Sequence, residues 1–315
     1  MNYKLKDISV IIPTYNRPKE IKKMINSIPK KIKEIIVVDQ SDTPIKIKKD
    51  SLIRYYHRKI PSITMARNFG VSKAKGKLIC FLDDDVILGK EYFESILHLF
   101  YKHPKAEGVA GYITPDAKLK DIIIDMLIKT PMCLGCYDFN SAKVRSTYNI
   151  TYAINLKKDI QTEWLPGLNM VFKKEVFDKH NMRFDENLLG YTLAEDIDFT
   201  YRIYKRNKEG LILSPTPEIY HEFSHTSRPT DLRMCFINNV DHIYFYCKNL
   251  KDRPLQKHKL IWSLGCIFLG RTLLLLSFRT KNFIKWKNFI KTISYCYNNL
   301  DNIKDGEVRG WQKYL

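Results

Sequence analysis

Leu78–Ile79–Cys80–Phe81–Leu82–Asp83–Asp84–Asp85–Val86–Ile87 is an apolar run that stops abruptly in three consecutive carboxylates. A short apolar run bounded by a charged break is the pattern of a strand buried on both faces, as in a parallel sheet. Open α/β sheets bind ligands in the crevice beyond the carboxyl ends of their strands, which is where the three Asp residues fall. Adjacent carboxylates repel one another, so stacking them at a buried strand end is costly unless a cation or hydrogen-bond donors compensate. Hard oxygen ligands in a small cluster suit Mg²⁺ or Mn²⁺, with substrate phosphates completing the shell. A solvated helix cap is the plainer account of an acid at such a place, but a cap needs one Asp and not three.

Upstream, Ile8–Ser9–Val10–Ile11–Ile12 reads as a strand, Pro13–Thr14–Tyr15–Asn16–Arg17–Pro18 as a turn, and Glu20–Ile28 as an amphipathic helix with Ile21, Met24, Ile25 and Ile28 at helical spacing. Further strands are expected at Glu34–Val38, ending in Asp39, and at Leu52–Tyr56, with a helix from Ser62 to Lys75 closed by Gly76. Strands alternating with helices give βαβ units and a parallel sheet. Right-handed crossovers then bring Pro13–Thr14–Tyr15, Asp39 and Asp83–Asp85 to one rim. The chain contains neither G-x-G-x-x-G nor a P-loop, which disfavours a dinucleotide site and an NTPase phosphate cradle.

The chain has 315 residues, 44% hydrophobic and 12% aromatic, enough for one large folded domain or for one domain with an appendage. Its net charge of +19 implies an anionic partner (nucleic acid, an acidic membrane surface or a phosphorylated substrate) or a solvated Lys-rich surface. Met1–Asp7 lacks the apolar core of a signal peptide, and seven cysteines without such a leader fit a reducing compartment. Cys133–Leu134–Gly135–Cys136 is a lone CxxC and reads as two incidental thiols rather than a zinc site.

Val10–Arg17, Ile36–Ser41, Ala66–Arg67–Asn68 and Phe81–Asp85 together, in this order and spacing, resemble the family 2 glycosyltransferases of the GT-A fold. The resemblance implies an α/β, Rossmann-like, mostly parallel central sheet with helices on both faces, built by residues 1–228. It also implies sugar transfer from a nucleotide diphosphate, usually with inversion. Carried over, it sets Pro13, Thr14, Tyr15 and Arg17 beside the nucleotide, Asp39 on the base, and Arg67 near the base or diphosphate. Asp83 falls on the ribose and metal side, Asp85 on the bridging cation, and Asp84 fills the variable middle of the Asp-x-Asp pattern. Downstream, Trp164–Phe172 resembles the segment under the donor sugar, with Gly167 allowing close backbone approach and Asn169 beside it.

Residues 115–160 form an irregular insertion with Ile122–Ile124 and Met126–Ile128, expected as a helix plus an antiparallel edge. Leu193–Arg202 then carries Glu195 and Asp196 on a helix. Inverting transfer needs a carboxylate that removes the proton of the attacking hydroxyl. The family pattern assigns that role to Asp196, with Glu195 orienting the acceptor or the loop; acids gathered at a helix N-terminus for dipole reasons are the simpler alternative. After the strand Leu211–Leu213, His221 matches a third metal ligand beside Asp85 and Asp83, with His225 as competitor, and Arg228 is placed to reach the phosphates.

Residues 229–315 change character. Met234–Tyr244 suggests an amphipathic helix, and Leu260–Phe278 is nearly long enough to span a bilayer but holds Arg271 near its middle. Basic and aromatic flanks favour helices lying in a membrane interface beside anionic lipid; a packed or oligomeric tail and a true span are the alternatives. The expected protein is thus a glycosyltransferase dependent on a divalent cation (Mn²⁺ or Mg²⁺). It is expected to use a nucleotide-sugar, a UDP-sugar being the family's commonest donor, and to act on a lipid-linked or cell-surface glycan from the cytoplasmic side of the membrane, with no nucleic acid partner. A polyprenol-phosphate glycosyltransferase is the alternative within the family, and a basic nucleic-acid-binding protein the alternative outside it.

Overall fold

The computed structural model describes residues 2–48, 50–113, 137–138, 141–145, 150–222, 229–252, 256–275 and 279–314. The chain divides into two compact units, one of residues 1–114, 155–191 and 195–228, the other of 115–154, 192–194 and 229–315.

The first unit alternates strand and helix from its start. β1 (Ile8–Thr14) leads to α1 (Pro18–Ser27), β2 (Glu34–Asp39), β3 (Ile53–His57), α2 (Ile63–Lys73) and β4 (Leu78–Leu82). β5 (Val86–Leu88), α3 (Tyr92–Lys102) and β6 (Gly108–Gly111) follow. Two short pieces, β7 (Tyr137–Asp138) and β8 (Tyr152–Ala153), belong to the second unit, where they pair in parallel. The first unit resumes with β9 (Ile160–Gln161), β10 (Asn169–Lys173), α4 (Glu175–Asp178), α5 (Glu195–Arg206), β11 (Leu211–Ser214) and β12 (Ile219–His221).

Eight strands make one sheet in the order β3-β2-β1-β4-β10-β6-β11-β9. β3, β2, β1 and β4 are parallel; β10 enters antiparallel between β4 and β6, and β11 resumes the parallel direction beside β6. Ile8, Val10, Ile11 and Ile12 are fully buried, as are Leu78–Leu82. That burial accounts for continuous apolar strands in place of alternating ones. One face is covered by Ile21 and Met24 of α1 and by Phe93, Ile96, Leu99 and Phe100 of α3. On the other, the Phe81, Phe172, Phe177, Phe184 and Phe199 rings meet edge-to-face or stacked. A Cβ at Gly70 would lie 2.4 Å from Ile11, so the glycine lets α2 sit directly on β1.

Register fixes the rim. Thr14 lies opposite Asp39, and Asp39 opposite His57. Because β10 runs backward with Asn169 opposite Leu82, its amino end arrives beside the carboxyl end of β4. β5 and β12 form a separate two-stranded ribbon in which His221 lies opposite Val86.

The second unit is helical in its C-terminal part: α6 (Asp231–Asn249), α7 (Gln256–Leu275), α8 (Thr280–Asn298) and α9 (Leu300–Lys304). Fully buried Asp241 accepts hydrogen bonds from Thr192 Oγ1 (2.7 Å) and the Leu193 N–H (3.2 Å), and Arg309 pairs with it at 2.5 Å. Phe236 stacks on the buried Trp311. The helix expected at Met234–Tyr244 is longer at both ends, and the apolar stretch expected from Leu260 begins at Gln256. Among the described residues no helix is long and apolar enough to cross a membrane. Ile122–Ile128, the Cys133 and Cys136 thiols, His225 and Arg228 lie outside the described residues.

Candidate active site at the sheet rim

The turn after β1 is set by Asn16, whose φ of 55° is left-handed, a region Asn tolerates better than most residues. Its N–H donates to Ser41 Oγ and its side-chain amide to Asp42, while the Tyr15 hydroxyl also donates to Asp42. The turn delivers Arg17 to the acidic cluster, where Nη1 bridges Asp84 Oδ1 (2.9 Å) and Asp85 Oδ2 (3.1 Å). Thr14 Oγ1 donates to Asp84 Oδ2 at 2.6 Å. Burial pushes the Asp84 carboxyl up to about 6 even though Thr14 and Arg17 pull it down. The repulsion anticipated for three adjacent Asp residues is thus partly offset from within the chain.

Asp85 Oδ1 lies 3.3 Å from His221 Nε2, brought there by the β5–β12 ribbon. Two ligands of one cation held at about 2.0–2.2 Å stand about 3 Å apart, so this pair has the spacing and the donor chemistry of a shared divalent ion. Asp83, the third expected ligand, is turned instead toward Arg67 Nη2 (3.3 Å). Among the described residues no group of three His, Cys, Asp or Glu side chains is arranged around a common point. The residues present fit a site with two protein ligands, the kind that phosphate oxygens and water complete.

Arg67 is the hub of the neighbouring cluster. Only 1% of its side chain is exposed, which excludes a helix-surface charge. It reaches Glu195 Oε1 at 3.0 Å, the Gly167 carbonyl at 2.9 Å and Asp83, and its guanidinium lies over the Phe184 ring. One buried cation thereby joins β4, the segment before β10 and the start of α5. The Gly167 N–H donates to Asp196 Oδ2 at 2.8 Å, and the Ile197 N–H to Asp196 Oδ1 at 2.8 Å. A Cβ at Gly167 would meet Asp196 Oδ2 at 3.0 Å and Arg67 Nη2 at 3.3 Å, so close backbone approach is what this glycine provides. Burial pushes both the Glu195 and the Asp196 carboxyls up, and Arg67 opposes it in both. A carboxylate whose pKa burial raises, partly open to solvent and oriented by two N–H donors, is placed to accept a proton.

Other expected residues serve the architecture. Asp39 is fully buried, and its carboxylate accepts from the Ser41 and Ile45 N–H groups and the Tyr55 hydroxyl. Burial pushes that carboxyl up, but the donors bring it below the usual range. The Asn169 side chain is also buried, its amide closing both bonds to the Gly111 backbone across β10 and β6. Asn68, one residue after Arg67, exchanges two 2.9 Å hydrogen bonds with the Phe184 backbone and anchors the approach to α5. The Ala66–Arg67–Asn68 motif contained that residue, but no chemistry in the sequence singled it out.

The sequence profile described as Glycosyl transferase family 2 matches residues 9–180, and the chain belongs to that family. It is 38% identical over 96 residues to an uncharacterized glycosyltransferase of Rickettsia felis, covering 28% of this chain and 16% of that protein. It is 23% identical over 306 residues to the minor teichoic acid biosynthesis protein GgaB of Bacillus subtilis, covering 91% of this chain and 30% of GgaB. The chain thus spans well under half the length of these relatives. The fold matches that of residues 1–349 of Staphylococcus aureus TarS in complex with UDP-GlcNAc, with a TM-score of 0.51 at 14% identity, covering 96% of this chain and 88% of that one. It matches GalNAc-T7 with UDP, GalNAc and Mn²⁺ at a TM-score of 0.51 and 13% identity, covering 81% and 54%.

Proposed function

We propose that this chain is an inverting glycosyltransferase that moves a sugar from a UDP-sugar to a hydroxyl of a lipid-linked or cell-surface glycan, with a divalent cation, Mn²⁺ or Mg²⁺. The observation that carries the reading is the Arg67 hub. It ties Asp83 at the acidic motif to Glu195 and Gly167, and Gly167 holds Asp196. Donor and base chemistry are thereby brought to one rim.

Asp196 accepts the proton of the acceptor hydroxyl as its oxygen forms the new bond to the anomeric carbon, while the bond from that carbon to the diphosphate oxygen breaks. Two N–H donors fix the Asp196 carboxylate, so it enters the reaction oriented. Arg67 keeps Glu195 paired beside it, and Asp85 and His221 are the residues that would hold the cation. When bound, the ion offsets negative charge on the departing diphosphate.

The names of similar proteins support the acceptor class. GgaB is a teichoic acid biosynthesis protein, and TarS a poly(ribitol-phosphate) β-N-acetylglucosaminyltransferase that is 27% identical over 135 residues. That likeness supports a cell-surface glycan as acceptor, and a peripheral enzyme at the cytoplasmic membrane face is part of the same proposal. The test is release of nucleoside diphosphate from UDP-GlcNAc and other UDP-sugars, with polyol-phosphate polymer or polyprenyl phosphate as acceptor. Polymer-dependent release that is lost in Asp196→Asn supports the reading. Release driven only by polyprenyl phosphate and retained in Asp196→Asn assigns the polyprenol-phosphate alternative.

A further inference from the structure

α7 packs along α8, and the contact uses one side of it. The Trp286 indole donates to Thr272 Oγ1 at 3.1 Å, and Arg271 donates to the Lys285 carbonyl at 3.1 Å while lying over the Phe289 ring. The charge that makes a membrane span costly is thus spent between two helices. On its exposed surface, Ile261 and Trp262 (58% exposed each), Phe268, Leu269 (55%) and Leu273 recur at helical spacing. A Cβ added at Gly265 or Gly270 would meet nothing within 4 Å. Phe283 and Ile284 of α8 are exposed too, flanked by exposed Lys281, Lys285 and Lys287. From Arg253 to Leu300 the sequence has nine Lys and Arg residues and no Asp or Glu.

We propose that this face of the α7–α8 hairpin is a docking surface for an anionic lipid bilayer, lying in the interface without crossing it. The chemistry fits one occupant. An apolar stripe on a helix too polar to span buries its side chains at the headgroup and acyl boundary, and exposed Trp and Phe favour that depth. An all-basic setting matches a negatively charged leaflet, each Lys or Arg near the surface adding to the attraction. A protein partner would place apolar area here without requiring nine cations and no acid. The docking surface gives the proposed transferase its membrane location, and it stands on observations independent of the catalytic rim.

The test is co-sedimentation of the full chain with vesicles of phosphatidylcholine alone and of phosphatidylcholine mixed with phosphatidylglycerol, measured without donor or acceptor. The expected result is partition onto the anionic vesicles, weakened by salt, and about tenfold or more weaker for Leu269→Glu/Leu273→Glu. Both substituted positions are exposed, and far-UV circular dichroism confirms that the variant is folded. A second variant, Lys281→Gln/Lys287→Gln, is expected to weaken binding to anionic vesicles and to flatten the salt dependence. Failure of the folded wild type to bind anionic vesicles overturns the proposal, as does equal binding by Leu269→Glu/Leu273→Glu. A concentration-dependent dimer abolished by that variant, without vesicle binding, assigns the face to a second copy and overturns it as well. None of these results bears on nucleotide-sugar binding at the rim.

Discussion

At the sheet rim, charge is answered by charge at close range; along the α7–α8 hairpin, charge of one sign accumulates and is left facing outward. Arg17 stands between Asp84 and Asp85, and Arg67 between Asp83 and Glu195. The hairpin holds its arginine at 271 between helices and presents lysines without a single acid nearby in sequence. The first arrangement preorganises a site by fixing each group in one geometry. The second needs no geometry, since a fluid surface accepts any spacing of cations. The same residue types thus preorganise a site where they are buried and paired, and supply a long-range attraction where they are exposed and alike.

The largest effect is expected on chemistry. Asp196→Asn keeps the size of the side chain but removes the proton acceptor, and turnover should fall by about 10²–10⁴. Steady-state kinetics should show the loss in kcat with the KM for donor nearly unchanged. The pH profile sharpens the same point. Burial raises the Glu195 and Asp196 carboxyls, so the acid limb of kcat/KM should lie above the ordinary carboxylate range near 4, activity falling as pH drops and the base becomes protonated. An acid limb at or below that range would contradict the role given to the pair.

Next comes stability at the hub. Arg67→Ala leaves Glu195 and Asp83 without their buried partner and should cost about 3–5 kcal/mol in denaturant unfolding. Arg271→Met on the hairpin removes a half-exposed cation and should change stability by less than about 1 kcal/mol. Similar losses for the two would erase the contrast between the regions.

Gly167→Ala is expected to be smaller. Its Cβ would press on Asp196 and Arg67, displacing the base by a few tenths of an ångström, and kcat should drop roughly 10- to 100-fold with the fold intact. A further modest effect lies away from the site, where Asp159 joins Lys102, His103 and Ser214. Burial pushes its carboxyl up, but those three donors hold it down to about 2. A depressed carboxylate stabilises the fold above its unfolded pKa, near 4, and that contribution is lost as pH falls through about 2. With Lys102 half-exposed, the contribution amounts to about 1–2 kcal/mol. Asp159→Asn should lower thermal stability by that much at neutral pH, and the difference should vanish toward pH 2.

The parallel sheet was legible because its cause is local. Ile8–Ile12, Glu34–Val38 and Leu78–Leu82 are runs of apolar residues that only a doubly covered strand explains, and motif order did the rest. Antiparallel β10 was not legible, since strand direction depends on which neighbours a segment finds and not on its own residues. At the site, Asp83–Asp85, Gly167 and Asp196 could be picked out by residue type and pattern. The role of Arg67 could not, because a lone Arg on a helix carries no sign of being buried between carboxylates from residues 83 and 195. Asp39 and Asn169 were legible as positions, while the hydrogen bonds their side chains accept, from the Ser41, Ile45 and Gly111 backbone and the Tyr55 hydroxyl, are not revealed by sequence spacing.

The proposed site holds a nucleoside diphosphate at the rim of this family 2 chain through Asp85 and a divalent ion. Thermal unfolding of the full chain with UDP, GDP, CDP and ADP, each with and without Mn²⁺, tests it directly. UDP is expected to stabilise the protein only with the metal, by roughly 2.7 kcal/mol at a hundredfold excess over Kd, and Asp85→Ala to abolish the shift. No stabilisation by any nucleotide in folded protein, or a shift indifferent to both metal and Asp85→Ala, would contradict it.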